Sequence, residues 1–340
     1  MTTTDAFAEL LNRLNHPPSE RMLRILRKLV THEDGRLLLE LPASPAELAE
    51  RLRMKEETVT AKLHELEEKG VAIKTRRGVR LAHDAYQLHS ATLTSSEKWV
   101  DTELLDLWKD YYEAEWFPSM EGVWEHAPVK AVKVLPAVKA IERSPGLSED
   151  NLAPEENIRE VIKTAELRSV VPCACRRKLR RCDRPLRVCL QFNKAAEYAI
   201  SRGAGPKLSV EEAIAIANEA EEAGLIHTRT IWLGPELREI CNCCGDCCMY
   251  FDPAIRYGGV NQSLEKSRFR AEVKLDPCTG CQDCVESCNL GAVEMKKVPL
   301  SKKLKASINQ EQCVGCGSCV VACKTGALTM KQFEPVKGTI

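Results

Sequence analysis

The sequence predicts a multidomain α+β chain, and three observations support that prediction. Two copies of one cysteine pattern follow each other 35 residues apart, between residues 278 and 323. A further nine cysteines fall in two blocks near the middle of the chain. The first 90 residues contain no cysteine and have the apolar periodicity of helices followed by a hairpin. A chain of 340 residues is long enough for two or three domains of ordinary size.

The repeated pattern has the spacing C-x₂-C-x₂-C-x₃-C. Its first copy is Cys278, Cys281, Cys284 and Cys288, and its second is Cys313, Cys316, Cys319 and Cys323. Gaps of two residues make a tight turn that directs three thiolates at one iron–sulfur cubane, whereas the fourth cysteine begins a helix that points away. Zinc sites use four ligands in two pairs rather than interleaved quartets. We therefore predict two [4Fe–4S] clusters with crossed ligation, the first held by Cys278, Cys281, Cys284 and Cys323 and the second by Cys313, Cys316, Cys319 and Cys288.

The similarity of the two copies extends beyond their cysteines. At the offset of 35, residues 273–276 align with 308–311, and residues 291–293 align with 326–328. Each copy is predicted to form a strand, a cluster loop, a short helix, a turn and a strand. Residues 270–331 resemble the two-cluster bacterial ferredoxin family, which implies a βαββαβ domain within residues 263–340. Asn289 and Lys324 stand where that family usually has proline.

Residues 1–90 are predicted to form a helix-turn-helix followed by a hairpin. A helix is expected over residues 19–30, and a second opens at the capping box of residues 44–47. The next helix covers residues 56–69 and ends at Gly70. Short apolar segments on either side of Gly78 complete the hairpin. This order resembles a winged-helix domain.

The charges on such a domain indicate whether it binds DNA or contacts another protein. The helix over residues 56–69 would enter the major groove of DNA. Around it, three lysines face five glutamates, so the helix is net negative and repels phosphates. These residues are Lys55, Lys62, Lys69, Glu56, Glu57, Glu65, Glu67 and Glu68. The hairpin is basic, with Lys74, Arg76, Arg77 and Arg80. We therefore favour a protein-contact role, with DNA binding as the alternative.

Residues 91–155 combine an aromatic-rich helix with a proline-containing connector. Four of the five tryptophans lie between residues 95 and 125. One helix face is apolar and aromatic, which predicts a core helix joining two domains; its residues are Leu104, Leu105, Trp108, Tyr111 and Tyr112. A partner-binding surface is the alternative, since Trp and Tyr are enriched at interfaces. The connector is predicted to be mostly extended because of its prolines, which are Pro128, Pro136, Pro145 and Pro154.

Residues 156–262 are predicted to form a helical, cysteine-rich metal-binding domain. Its thiols fall in two blocks, Cys173, Cys175, Cys182 and Cys189, then Cys241, Cys243, Cys244, Cys247 and Cys248. Nine thiols suffice for two further [4Fe–4S] clusters and one spare thiol. The alternatives are one cluster with ligands from both blocks, or zinc. Between the blocks, Ser209 and Glu212 predict the start of a helix and Gly224 predicts its end.

The two blocks, together with Arg176 and residues 224–227, resemble a cysteine-rich module found before ferredoxin domains in anaerobic bacteria and archaea. The resemblance implies an anaerobic iron–sulfur context and no assigned chemistry. Basic residues crowd between the first thiols: Arg176, Arg177, Lys178, Arg180 and Arg181. They would favour thiolate over thiol and raise a cluster potential, or offer a dock for an acidic redox partner. The alternative is a solvated basic loop.

Composition and motifs narrow the function. Equal numbers of acidic and basic residues, 49 each, give no general attraction to nucleic acid or anionic membranes. No signal peptide or apolar run of about 18 residues is visible, so a cytoplasmic location is expected. There, cysteines serve metal or redox chemistry. No dinucleotide fingerprint or P-loop occurs. His227, which lies near the cysteine blocks, is expected to be structural.

The sequence therefore predicts an iron–sulfur electron-transfer protein or subunit rather than a stand-alone enzyme. Single electrons would pass through the C-terminal and central clusters to a protein redox partner, a flavin or metal oxidoreductase. One alternative is a redox-sensing iron–sulfur transcription regulator. Another is an oxidoreductase in which the spare thiol marks an open cluster site. Catalytic residues, an organic substrate and the oligomeric state are left open by the sequence.

Overall fold

The computed structural model describes residues 5–75, 78–126, 129–232, 234, 236–299 and 301–333. The chain forms two compact units, each assembled from several stretches. The first unit contains residues 1–118, 171–180 and 197–206, and the second contains residues 119–170, 181–196 and 207–340. Arg76, Arg77, Pro128 and the side chain of Trp124 lie outside the described part. The division into four domains stays a prediction.

The helices, in chain order, are α1 (Ala6–Arg13), α2 (Glu20–Leu29), α3 (His32–Leu39), α4 (Pro45–Leu52), α5 (Glu56–Lys69), α6 (Ala85–Leu93), α7 (Thr102–Tyr111), α8 (Phe117–Ser119), α9 (Val123–His126), α10 (Val138–Glu142), α11 (Ile158–Thr164), α12 (Ala174–Leu179), α13 (Lys194–Ser201), α14 (Val210–Glu222), α15 (Phe251–Arg256), α16 (Val260–Ser263), α17 (Asp283–Glu286) and α18 (Ser318–Ala322). A π-helical turn covers Tyr112–Trp116, and a 3₁₀ turn covers Glu149–Asn151.

The strands are β1 (Ala72–Thr75), β2 (Gly78–Leu81), β3 (Val132–Val134), β4 (Arg168–Val171), β5 (Cys189–Phe192), β6 (Ile226–Thr230), β7 (Glu239–Cys243), β8 (Leu264–Glu265), β9 (Phe269–Val273), β10 (Val293–Lys296), β11 (Lys305–Ile308) and β12 (Leu328–Gln332). Among the described residues, no helix has both the length and the apolar composition needed to cross a membrane.

The predicted winged helix forms, and it lies in the first unit. The Ser19 side chain accepts a hydrogen bond from the Met22 N–H at 3.0 Å and so starts α2. Ser44 and Glu47 bond each other's backbone N–H groups, which opens α4. Gly70 ends α5 in the left-handed conformation, with φ of +81°. Strands β1 and β2 then pair antiparallel and form the wing.

The aromatic-rich segment belongs to the core of the first unit. Trp108 is 0 % exposed and Tyr112 is 1 % exposed, and Trp108 packs edge-on against His89 with ring centroids 5.1 Å apart. The same core contains residues of α1 and α3, two helices that were not predicted from the sequence. Burial of the rings thus favours the core-helix interpretation over a partner surface at Trp108 and Tyr112.

The second unit is built around a mixed sheet. Its strand order is β4-β5-β7-β6-β3-β8. Strand β7 pairs antiparallel with both β5 and β6, β6 pairs antiparallel with β3, and β3 pairs parallel with β8. Helix α14 begins at the predicted capping box, in which Ser209 and Glu212 bond reciprocally. Gly224 lies just beyond its end with φ of +70°.

The prediction of a mostly extended connector is wrong for part of residues 127–155. Strand β3 and helix α10 form there, and Val134, Val138 and Ile141 are all 0 % exposed. Pro136 stands just before α10, where a missing N–H breaks no helical hydrogen bond. Apolar side chains of this segment pack into the core, and that packing determines its conformation despite the prolines.

The C-terminal part has the predicted βαββαβ order, β9-α17-β10-β11-α18-β12. Strand β9 pairs with β12 and β10 pairs with β11, so the two copies interlock. Equivalent glycines in the two cluster loops, Gly280 and Gly315, have φ of +75° and +73°. A Cβ on Gly280 would lie 2.4 Å from the Leu304 carbonyl oxygen, and one on Gly315 would lie 1.8 Å from that of Phe269. Both loops therefore require glycine for space as well as for conformation.

Candidate metal centres

Four cysteines line one cavity in the C-terminal domain. They are Cys288 from the first copy and Cys313, Cys316 and Cys319 from the second. Ala271 and other apolar side chains form part of its wall. Soft thiolate donors beside apolar side chains fit an iron–sulfur cluster. This is the quartet that the crossed assignment gives to the second cluster, although the ligation itself stays a prediction.

The other crossed quartet surrounds Cys284. Burial raises the pKa of Cys284 to about 11, and the neighbouring thiolates of Cys281, Cys323 and Cys278 add to that rise. Cys323 comes from the second copy, whereas the other three come from the first. Their charges as thiolates would oppose one another, and a bound cluster would offset that opposition.

Hydrogen bonds reach several of these sulfur atoms. The backbone N–H of Ala292 donates to Cys288 Sγ at 3.2 Å. The Ser318 hydroxyl lies 3.5 Å from Cys316 Sγ. At Cys323, burial acts to raise the pKa but is outweighed by N–H and hydroxyl bonds from the residues that follow, so the pKa is lowered. Such bonds stabilise negative charge on sulfur and are one means of tuning a cluster potential.

In the central region, four thiols lie on the paired strands β5 and β7 and just beyond the end of β7. We call them the strand group, and they are Cys189, Cys241, Cys243 and Cys248. Because Leu190 pairs with Ile240, Cys189 and Cys241 come opposite each other. A hydrogen bond with Cys189 is the largest cause that raises the pKa of Cys241, and Cys243 Sγ lies 3.4 Å from Cys248 Sγ. The group is therefore continuous from one strand to the next.

A second set of three thiols joins the loop after β7 to the segment between α12 and β5. We call it the loop group, and it consists of Cys182, Cys244 and Cys247. Cys182 Sγ is 3.8 Å from Cys244 Sγ and 4.0 Å from Cys247 Sγ, and all three sulfurs lie within 4.8 Å of one another. Cys244 is 1 % exposed and Cys247 is 0 % exposed. Neighbours in sequence thus belong to different groups, and each group takes ligand candidates from both blocks.

The remaining central thiols, Cys173 and Cys175, belong to the first unit. Cys173 precedes α12, and a hydrogen bond with Cys175, followed by burial, raises its pKa well above the ordinary value. The first block is therefore divided between the two compact units.

His227 has a structural role, as expected. It is 1 % exposed, and its Nδ1 lies 2.5 Å from Asn242 Oδ1 while its Nε2 lies 3.1 Å from Glu221 Oε1. Glu221 also accepts the backbone N–H of Val138 at 2.7 Å. The imidazole on β6 thus connects α14 to β7, and Glu221 connects α14 to α10.

The expectation of a solvated basic loop, or of a basic docking surface, is wrong for Arg176, Arg177 and Lys178. All three are buried in the first unit, on α12. Arg177 donates to the Ser95 carbonyl at 2.7 Å, and Lys178 Nζ lies 3.6 Å from the ring centroid of Tyr112. Carbonyl oxygens and aromatic faces can compensate buried cations, and the charge pattern alone could not show that.

Asn289, which stands where the ferredoxin family usually has proline, bonds three other parts of the chain. Its Oδ1 accepts the backbone N–H of Gly245 at 3.1 Å and a bond from Arg184, and its Nδ2 donates to the Gly224 carbonyl at 2.6 Å. A Cβ on Gly245 would lie 2.3 Å from the Asn289 carbonyl oxygen. The residue that replaces the family's usual proline therefore holds the loop that carries Cys244 and Cys247.

These features define a class of protein with an N-terminal winged helix and a C-terminal domain for two [4Fe–4S] clusters. Residues 277–327 match the family model of the 4Fe-4S dicluster domain. Residues 20–88 match that of the Crp-like helix-turn-helix domain. No curated protein and no solved structure gives a significant match to the chain. The iron–sulfur and winged-helix predictions are thus confirmed at the level of domains, whereas the resemblance of the central module stays a prediction.

Proposed function

We propose that the protein is an electron-transfer component that relays single electrons to a partner oxidoreductase. The relay would use the two C-terminal [4Fe–4S] clusters. When bound, such clusters supply one-electron chemistry with little reorganisation. The observation that carries the proposal is the cavity lined by Cys288, Cys313, Cys316 and Cys319. A cytoplasmic, anaerobic setting is part of the proposal, since dense free thiols require a reducing compartment.

The surroundings of Cys281 support an entry or exit point for electrons. Cys281 is exposed, whereas Cys278 and Cys284 beside it are buried. Leu275, 46 % exposed, offers an apolar contact on the same loop. Lys324 extends into solvent near Asp283, with the two charges 3.4 Å apart. A flavin or metal oxidoreductase docking at this surface would reach the first cluster through its least protected ligand.

The test is metal analysis and EPR on the full chain, purified without oxygen. We expect about eight iron and eight sulfide from the C-terminal domain, and about one electron taken up per cluster on titration with reduced methyl viologen. Cys288→Ser and Cys316→Ser should weaken the same EPR signal, and Cys281→Ser should weaken the other. A protein without iron contradicts the proposal. If Cys288→Ser instead removes the signal lost in Cys281→Ser, the crossed assignment is wrong.

A redox-sensing regulator is the second candidate, and the match to a Crp-like helix-turn-helix favours it. The charges on α5 argue against it. Lys62 lies 3.3 Å from Asp34 Oδ1, and Lys69 lies 2.7 Å from Glu65 Oε1. Arg80 on the wing bonds Gln87 at 2.9 Å. Cations held by carboxylates or amides contribute less to phosphate binding.

A gel-shift assay with oxidised and reduced protein distinguishes the candidates. The electron-transfer proposal expects weak binding to DNA that does not depend on the sequence of the duplex or on the redox state of the clusters. The matched variants are Lys55→Glu, at an exposed lysine before α5, and Lys331→Glu, at an exposed lysine on β12. Sequence-specific binding that falls steeply with salt and is lost only in Lys55→Glu would establish the regulator instead.

A further inference from the structure

We propose that the loop group, Cys182, Cys244 and Cys247, is a mononuclear zinc site separate from the iron–sulfur clusters. The inference goes beyond the electron-transfer proposal and does not depend on it. It assigns a structural metal to a loop of the central region, and it separates this site from the strand group a few residues away in sequence.

Sulfur–sulfur distances decide between one metal ion and a cubane. Two thiolates bound tetrahedrally to one Zn²⁺, each at about 2.3 Å, have sulfur atoms about 3.8 Å apart. The observed separations from Cys182 Sγ are 3.8 Å to Cys244 and 4.0 Å to Cys247. Cubane thiolates bind different iron atoms, so their sulfurs are held farther apart than those sharing one ion.

The C-terminal cysteines serve as an internal reference for this comparison. Across the residues that the structure describes, no three of those eight thiols come within 4.8 Å of one another, whereas the loop group does. Among the described residues, the loop group is thus the one set of three such donors close enough to share a single ion. The fourth ligand of the tetrahedron would come from outside the three thiols.

The surroundings of the loop group hold its two chain segments in place. The Arg181 guanidinium donates to the Asp246 carbonyl at 3.3 Å and to Asp252 Oδ2 at 3.1 Å. On the other side, the Gly245 N–H donates to Asn289. These bonds fix the backbone on either side of the three thiols.

The position of the site suggests its role. Cys182 comes from the first block, Cys244 and Cys247 come from the second, and Asn289 ties their loop to the C-terminal domain. A redox-inert ion here would join these segments and contribute its binding free energy to folding. It would stabilise the attachment of the C-terminal cluster domain to the central region, and it would carry no electrons.

The experiment uses adjacent cysteines as matched controls in the full chain, purified without oxygen. We expect about one zinc per chain, with an X-ray absorption spectrum dominated by sulfur at about 2.3 Å. Cys244→Ser and Cys182→Ser should lose most of the zinc, at least tenfold, and keep their iron. Cys243→Ser and Cys189→Ser change the neighbouring strand group and should keep the zinc.

Several results would overturn the inference. These are zinc-free native protein, a zinc shell of nitrogen or oxygen, an iron neighbour in the absorption spectrum, and iron rather than zinc lost in Cys244→Ser. If the loop-group variants fail to fold, the spectrum of the native protein still decides. Native protein with zinc but without iron would contradict the electron-transfer proposal and leave the zinc site standing.

Discussion

Replacing Asn289 by alanine should release the loop that carries Cys244 and Cys247. The asparagine side chain makes three bonds to other segments: it accepts from Gly245 and Arg184, and it donates to the Gly224 carbonyl. Alanine removes all three and leaves the half-buried Gly245 N–H without this acceptor. The two cluster loops of the C-terminal domain should keep their backbone conformation.

The magnitude follows from these contacts. A hydrogen bond between neutral groups contributes about 1 kcal/mol, and one to a charged group contributes about 1.5 kcal/mol or more. Two neutral bonds and one to arginine sum to about 3.5 kcal/mol, or roughly 2–4 kcal/mol once partial exposure is considered. Since each 1.4 kcal/mol is a factor of ten, local opening of the loop should become roughly 30- to 700-fold more frequent.

Hydrogen exchange measured by mass spectrometry on a peptide covering residues 241–248 reports this opening. The matched control is Asn289→Asp, which keeps the acceptor for Gly245 and Arg184 and loses only the bond to Gly224. Its exchange should rise about tenfold at most. Unchanged exchange in the alanine variant, or equal acceleration in both variants, would refute the reasoning.

Three further predictions concern other sites. Gly315→Ala should lower the iron content sharply, because its Cβ would lie 1.8 Å from a backbone oxygen. Gly291→Ala, with open space around it, should lower the free energy of unfolding by about 1–2 kcal/mol and keep the iron. Equal iron loss in both variants would contradict this. Burial and the Lys178 charge hold the pKa of His89 well below its usual value, so below about pH 6.5 the unfolded chain binds a proton that the folded chain does not. Tryptophan-fluorescence melts should therefore show stability falling from pH 7 to 5, by up to about 1.4 kcal/mol per pH unit, and His89→Phe should flatten that dependence. Ser318→Ala should lower the potential of the cluster bound by Cys316, by at most ~40 mV in a redox titration, since one weak bond to sulfur contributes about 1 kcal/mol; a higher potential would be inconsistent with a stabilising bond.

Local signals in the sequence predicted the parts of the fold that local chemistry determines. Ser44 and Ser209 cap their helices as the capping-box pattern indicates, and Gly70 ends α5 in the left-handed conformation. The 35-residue offset predicted two equivalent cluster loops, and Gly280 and Gly315 indeed have nearly the same φ. Each of these signals involves neighbours within a few residues, or a repeat that doubles the same information.

The arrangement of the central thiols could not be predicted in the same way. Cys243 and Cys244 are adjacent, yet one ends β7 facing Cys248 and the other turns toward Cys182. That outcome depends on the register of β7 against β5 and on the path of a loop held by Asn289. Spacing along the chain contains neither quantity, so counting thiols per block could not show that the groups take members from both.

Because the two compact units are interleaved along the chain, the winged helix is difficult to exchange for another domain. Residues 171–180 and 197–206 return to the unit that contains the winged helix, so that unit is not one contiguous segment. Arg177 and Arg202 from these stretches both bond the α6–α7 region, at Ser95. Replacing the first 118 residues with another module would strip both arginines of these partners. A working chimera would have to transplant all three stretches together, which makes this winged helix a poor candidate for domain shuffling.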